Sequence, residues 1–214
     1  IRRLAALPTP AAIFNRWEPV PNISCVAPDY ERAGAESLRV LRSRGYERIA
    51  FVYRPADEAS WSEARLASRT AFLALRKGFL TAASSAGMSP GDVWMIDEVT
   101  DSARFTDPAA YGLPTKKPDD WRPLGVQTSS DRWAVFLLEA ISRTDLVIGR
   151  DIGVIGFFDL ECGRLGPRPP STWSISRSMI GELAAKALID RIENPELPAG
   201  IVTLPMSFVD RGTA

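Results

Sequence analysis

The chain has 214 residues, of which 45% are hydrophobic, and its 26 basic residues balance 26 acidic ones. This length allows a real core in one large domain or two small lobes, while the neutral net charge offers no broad attraction for nucleic acid. The chain has no histidine, which excludes Ser-His-Asp triads and HExxH zinc sites.

Stretches rich in β-branched residues alternate with stretches of helical period, a pattern that favours an α/β fold around a mostly parallel sheet. In the first half we predict strands at 11–16 and 22–26, a helix at 29–45, a strand at 48–53 and a helix at about 63–86. The glycines at the ends of both helices are typical helix stops.

A strand at 93–96 precedes residues 101–122, which mix three prolines with charges and have no period. They are predicted to form a long, mobile loop. After it we predict a strand at 123–128, a helix capped by Ser130 or Asp131, a strand at 151–158, a turn-rich connector at 163–171, a helix at 178–193 and a strand at 200–209. Pro205 interrupts the last strand, which indicates an edge or a crossing point.

Two cysteines, Cys25 and Cys162, have no CxxC partner, so we expect reduced structural thiols and neither a metal site nor a disulfide. No stretch reaches the roughly 18 apolar residues of a membrane helix. The first residues, IRRLAALPTPAAIF, have too short an apolar run for a signal peptide. We therefore expect a cytoplasmic protein that does not contact a membrane and carries no cofactor.

Four stretches follow one another in a recognisable order: VAPDYERAGAESLRVLRSRGYERIAFVY, ALRKGFLTAASSAGM, SSDRWAVFLLEAI, and the long C-terminal run GRDIGVIGFFDLE to LPMSFVDRGT. Together they resemble the effector-binding domain of the lactose-repressor/galactose-repressor (LacI/GalR) family of transcription regulators. The resemblance covers almost the whole chain. It implies a periplasmic-binding-protein-like fold, in which two α/β lobes with parallel sheets are joined by three crossovers and a ligand binds in the cleft between them.

Carried onto this chain, the resemblance assigns residues 1–26 and 175–204 to a partial, truncated N-terminal lobe. Residues 27–174 and 205–214 become the C-terminal lobe. The crossovers are expected near residues 25–27, near Ser174 and near Pro205. Family members also begin with a helix-turn-helix DNA-reading headpiece, and we expect that part to be absent from this chain.

The resemblance also implies a ligand-binding set. In sugar-binding members an arginine and an acid hold the ligand hydroxyls, and here Leu75 and Phe158 occupy those positions. Leu75 can equally be a core residue of its helix, and Phe158 can face a ligand or pack. Asp159, the second acid of the motif, is expected to cap the loop after its strand through backbone N–H groups, with ligand contact as the alternative.

Four further positions complete the expected set. Arg69 lies near Leu75 on the same helix and could replace the lost arginine, or could simply be solvated. Ser130 stands where family members often turn an asparagine toward the ligand, although helix capping explains it equally well. Ile175 and Arg177 match positions that face the cleft from the N-terminal lobe.

The resulting hypothesis is a ligand-sensing, dimeric regulator that binds DNA through its headpiece and catalyses no reaction. The helix bearing Trp133 and the segment near Leu165 would help form a homodimer interface. Without the two charged residues that hold ligand hydroxyls in sugar-binding members, we expect weak binding of simple sugars and a sugar-like or more apolar effector.

A solute-binding receptor of a transporter is the alternative function. An α/β enzyme is disfavoured, because both histidine and the phosphate-loop patterns GxGxxG and GxxxxGK(S/T) are missing.

Overall fold

The computed structural model describes residues 2–6, 8–14, 16, 19–53, 63–97 and 101–214, without the side chains of Arg2, Ala5, Tyr53 and residues 63–70. Its helices are α1 (Arg2–Ala5), α2 (Tyr30–Ser43), α3 (Glu63–Ser85), α4 (Asp131–Ile141), α5 (Glu161–Arg164) and α6 (Arg177–Glu193). Its strands are β1 (Ala11–Phe14), β2 (Ile23–Pro28), β3 (Arg48–Tyr53), β4 (Val93–Asp97), β5 (Leu124–Thr128), β6 (Ile152–Phe157), β7 (Ser171–Ser174), β8 (Ile201–Leu204) and β9 (Ser207–Val209).

The strands form two sheets. The smaller sheet has the order β1-β2-β8 and is parallel throughout. Helix α6 packs against β1 and β2, where Val26, Ile180 and Leu204 form a small buried cluster. The α/β architecture expected from the alternating pattern is confirmed.

The larger sheet has the order β4-β3-β5-β6-β7-β9, and only β9 runs antiparallel to its neighbour. Its core falls into two clusters of buried side chains. One contains Phe51, Phe79 and Phe157, together with residues of α2 and α3. The other contains Val126 and Val154, together with the buried stripe of α4. A sheet covered by side chains on both faces explains why its central strands β3 and β6 are nearly continuous hydrophobic runs.

The chain passes between the two sheets three times within the described residues: after β2, after β7 and after β8. The first and third passages lie side by side, since the N–H of Asp29 donates to the carbonyl of Leu204 at 2.8 Å. The second and third are also adjacent, because Ser174 pairs with Ser207. Strand β2 continues in the smaller sheet to Pro28, two residues beyond the boundary predicted after residue 26.

Two segments differ from the sequence expectation. The region read as a connector and helix start contains strand β7, whose residues are almost entirely buried between β6 and β9. Residues 101–122 are anchored, in contrast to the predicted mobile loop: Lys117 pairs with Asp151 at 2.7 Å, and the indole N–H of Trp121 donates to the Asp151 carbonyl at 2.9 Å. Short 3-10 turns at Ser102–Arg104 and Pro108–Tyr111 give the segment internal structure.

Both cysteines are free thiols, but only Cys25 is buried; Cys162 is exposed and takes no part in a core. In the part of the chain that the structure describes, none of the helices combines the length and the apolar character that a membrane span requires.

Candidate ligand-binding site

Three of the predicted site residues lie at one edge of the larger sheet. Ser130, Phe158 and Ile175 each follow the carboxyl end of a strand, and those strands, β5, β6 and β7, are neighbours in the sheet. Because β5, β6 and β7 are parallel, their carboxyl ends meet at the same edge. In open α/β sheets this edge is where ligands bind.

Phe158 is held in an unusual backbone conformation. Its φ is +88° and that of Asp159 is +51°, so two consecutive residues with side chains occupy the left-handed region. Such conformations cost on the order of 1–3 kcal/mol each and persist only where the surroundings enforce them. The N–H of Phe158 donates to the carbonyl of Trp173 at 2.8 Å, which fixes the turn to strand β7.

The turn places the half-buried Phe158 ring in an aromatic cluster. Its centroid lies 4.7 Å from that of Phe157 and 6.3 Å from those of Tyr30 and Phe72, all in edge-on arrangements. Tyr30 is buried, and this burial raises the pKa of its hydroxyl. The cluster joins residues from β6, α2 and α3, so it forms an apolar wall near the carboxyl end of β6.

The capping role expected of Asp159 belongs to another carboxylate. Asp159 Oδ1 accepts a 2.7 Å hydrogen bond from Arg211 Nη2, and both side chains are mostly buried. It is Asp131 Oδ2 that accepts from the N–H of Leu160 in this turn, at 2.6 Å. The prediction that Asp159 caps the turn through backbone N–H groups is therefore wrong, because its carboxylate is taken up by an arginine 52 residues away.

Asp131 opens helix α4 and is almost fully buried, at 1% exposure. Burial raises the pKa of its carboxyl, while the hydrogen bonds from Thr172 and from the Leu160 N–H oppose that shift. The sequence marked Asp131 only as a possible helix cap. Its contact with the turn after β6 depends on strands that lie far apart along the chain.

The two predicted positions on α3 differ in what the structure says of them. Leu75 has no exposed surface and contributes to the core between α2 and α3, where its carbonyl lies against Gly34. In this structure Leu75 therefore offers no surface to a ligand, and packing accounts for it. Arg69 lies within α3, but its side chain falls outside the described residues.

Ser130 occupies the N-cap position of α4, but its side chain makes no capping hydrogen bond. Its backbone is extended (φ −164°, ψ 164°), and its carbonyl accepts from the Thr128 hydroxyl at 2.9 Å. The capping explanation for Ser130 is thus wrong. The half-exposed hydroxyl is available at the carboxyl end of β5.

Ile175 and Arg177 come together at a pocket of about 210 Å³, which Phe14, Ile180 and Gly181 complete. Ile175 is half-buried against the cluster under α6, whereas Arg177 is exposed. Phe14, the last residue of β1, is 62% exposed. The smaller sheet therefore also presents its carboxyl end as an apolar surface.

The sequence reasoning missed Phe14 and Phe72 as surface-facing aromatics. Phe72 lies on α3, is only half-buried and contacts Phe158. For Phe14 a signal existed, because it ends a strand at the edge where parallel sheets bind ligands.

The model of the periplasmic binding protein-like domain family matches residues 38–214. The ribose operon repressor of Escherichia coli strain K12 is 28% identical over 208 residues, which are 97% of this chain and 58% of the repressor. The HTH-type transcriptional repressor MelR of Bacillus subtilis is 25% identical over 202 residues, 94% of this chain and 56% of that protein. The chain thus spans somewhat more than half the length of these relatives.

Solved structures share the fold. A LacI family transcriptional regulator from Enterococcus faecium with bound ribose matches with a TM-score of 0.71 at 21% identity, covering 94% of this chain and 69% of that one. The complex of the transcriptional regulator CelR with cellobiose matches with a TM-score of 0.68 at 20% identity, covering 95% and 58%. The chain therefore belongs to the family of periplasmic binding protein-like domains.

Proposed function

We propose that this chain is the effector-binding domain of a LacI-type transcription regulator, in which a bound small molecule controls DNA binding by another part of the protein. Family membership supports this proposal, as do the repressors among the relatives. The observation that carries it is the pair of mostly parallel sheets joined by three adjacent passages, with Ser130, Phe158 and Ile175 following the carboxyl ends of neighbouring strands.

The two sheets would act as lobes, with residues 1–26 and 175–204 in the N-terminal lobe and residues 27–174 and 205–214 in the C-terminal lobe. The short passages after β2, β7 and β8 are suited to act as a hinge, since a few residues at element ends can absorb a change of angle. A ligand that contacts both lobes would favour one lobe arrangement over the other. That bias is what a DNA-binding part would respond to.

The effector would carry more apolar surface than a simple sugar. The two positions at which sugar-binding members carry charges are expected to hold Leu75, which is buried, and Phe158, and the neighbouring Asp159 is already paired with Arg211. The groups that would contact the effector instead are the aromatic cluster around Phe158 and the half-buried Ser130. Aromatic walls with a few polar groups are typical of sites for apolar ligands.

A homodimer would form through α4 and the segment after α5. Leu165, which follows α5, is 78% exposed, and α5 packs against α4. On α4, Trp133 and Phe136 form an aromatic group with Phe105. Such a protein would work in the cytoplasm and catalyse no reaction, and its repressor relatives favour this role over that of a transport receptor.

The test has two stages. First, thermal unfolding of the chain is measured against a panel of sugars and aromatic small molecules, because a ligand of the folded state raises the midpoint. Then this chain replaces the part of the Escherichia coli ribose operon repressor that it matches, and operator binding of the chimera is measured by fluorescence anisotropy. Unmodified repressor, which keeps its own domain, is the control.

A stabilising ligand is expected to change the operator affinity of the chimera by at least about fivefold, the lower range of allosteric coupling. The same ligand should leave the control unchanged. Stabilisation of the chain without any change in operator affinity would contradict the regulator and favour a receptor.

A further inference from the structure

The pocket beside α6 has a distinct shape and lining. Its volume is about 210 Å³, and Phe14, Ile175 and Ile180 provide apolar walls. An apolar cavity of about 150 Å³ is enough to hold a benzene molecule. The pocket therefore has room for a single ring with one small substituent.

The polar group of this pocket is a cation, the guanidinium of Arg177. Arg177 lines the pocket and is exposed, and no residue within the described part of the chain forms an ion pair with it. It lies in the first turn of α6, where the helix dipole already favours negative charge. That turn has no acidic residue, whereas α2 and α4 carry Glu31 and Asp131 in theirs. An arginine at this position adds positive potential to a helix end that is itself positive.

Carboxylates that follow the sheet strands do not supply the missing negative charge. Asp29, after β2, accepts from the N–H of Arg32 at 3.0 Å and caps α2. Asp159, after β6, is paired with Arg211 at 2.7 Å. The positive end of the pocket is thus left for a group that comes from outside the chain.

We propose that the pocket formed by Phe14, Ile175, Arg177, Ile180 and Gly181 binds an organic anion, a carboxylate or phosphate carried on a single apolar ring. The ring packs between Phe14 and the two isoleucines, and the anionic group binds the Arg177 guanidinium in a charge-assisted pair. The inference rests on the proposed function for its biological meaning, because it identifies the chemical class of the effector. It also distinguishes this chain from a sugar sensor, since sugars are neutral.

The test uses isothermal titration calorimetry of the full chain with four probes: benzoate, its neutral isostere benzamide, phenyl phosphate and ribose. Arg177→Gln removes the charge and keeps a side chain of similar length. Lys186→Gln is the matched control, because Lys186 is an exposed cation on the same helix whose surface pair with Asp190 contributes little. Circular dichroism confirms that both variants keep the wild-type fold.

Benzoate or phenyl phosphate is expected to bind wild-type protein at least about tenfold more tightly than benzamide, the range of one charge-assisted hydrogen bond. Arg177→Gln should remove that difference and Lys186→Gln should preserve it. The anion that binds more tightly indicates whether the pocket prefers a carboxylate or a phosphate.

Equal binding of benzoate and benzamide, or an anion preference that survives in Arg177→Gln, would overturn the inference. So would a panel in which ribose alone binds, although the proposed sensor would then stand. A chain that binds none of the four probes overturns the inference as well, and the wider thermal-unfolding panel then decides the proposed function separately.

Discussion

Replacing Gly78 by alanine tests the packing that brings α3, with Phe72, to the candidate site. A Cβ atom at Gly78 would lie 1.8 Å from the carbonyl oxygen of Glu31 and 2.7 Å from its carbonyl carbon, whereas ordinary contact begins at 3.4 Å. Both obstructing atoms are backbone, so no side-chain rotation can relieve the clash. Helices α2 and α3 would have to separate by about 1.6 Å at this point.

The cost follows from two opposing contributions. Overpacking a tight interface costs about 1–3 kcal/mol or more, while alanine gains about 1 kcal/mol over glycine within a helix. Because backbone atoms cannot move aside locally, we take the overpacking cost at the upper end of that range. The expected net result is a loss of about 2 kcal/mol in the free energy of unfolding. Urea titration followed by tryptophan fluorescence measures it.

Gly181→Ala is the matched control, because Gly181 lies within α6 and a Cβ there meets nothing within 4 Å. It should raise the free energy of unfolding by about 0.5–1 kcal/mol. The two substitutions are identical in chemistry and opposite in expected sign. If Gly78→Ala left stability unchanged or increased it, the close approach of α2 and α3 described above would be incorrect.

Leu75→Arg should lower the free energy of unfolding by more than about 3 kcal/mol, because it buries a charge without a partner. Urea titration measures this loss. Tighter ribose binding by the variant in calorimetry would contradict the core role of Leu75. Arg211→Met should lower it by about 2 kcal/mol by leaving the Asp159 carboxylate unpaired, and adding Asp159→Asn should recover part of the loss in a double-mutant cycle. Arg150, together with Lys117, holds the pKa of the buried Asp151 below its ordinary value. The stability that this carboxylate contributes is therefore present above pH about 4 and lost as the pH falls further. Asp151→Asn should make the free energy of unfolding less dependent on pH in this acid range. An unchanged pH dependence would argue against the pairing of Asp151 with Arg150 and Lys117.

The helices and central strands could be predicted because the apolar side chains that each one buries follow a spacing along the sequence that is typical of a helix or a strand. Helix α4 is an example, because it has apolar residues at helical spacing that are all buried in the structure: Ala134, Leu137, Leu138 and Ile141. Strand β6 is another, since a sheet covered on both faces requires a continuous apolar run.

Strand β7 could not be predicted in the same way. Its sequence, Ser-Thr-Trp-Ser, follows two prolines and carries only one large apolar residue. It is a strand because β6 and β9 pair with it on either side, and β9 comes from the far end of the chain. Sheet pairing of this kind depends on neighbours in space, which local propensity does not contain.

The candidate site shows the same division. Resemblance located Ser130, Phe158, Ile175 and Arg177 at positions that the structure puts at strand ends or beside a pocket. The capping roles expected from residue chemistry were wrong, because the Asp159 carboxylate pairs with Arg211, 52 residues away, and the Ser130 side chain makes no capping hydrogen bond.

By itself the sequence determined an α/β chain and its resemblance to the LacI/GalR family, because residue identity and period are local properties. Only the tertiary structure decided that Asp159 pairs with Arg211, that Leu75 is buried between two helices, and that Arg177 lies beside an apolar pocket without an ion-pair partner among the described residues. Those outcomes depend on which distant groups meet once the sheets assemble. A side chain that is already satisfied within the fold is not available to a ligand.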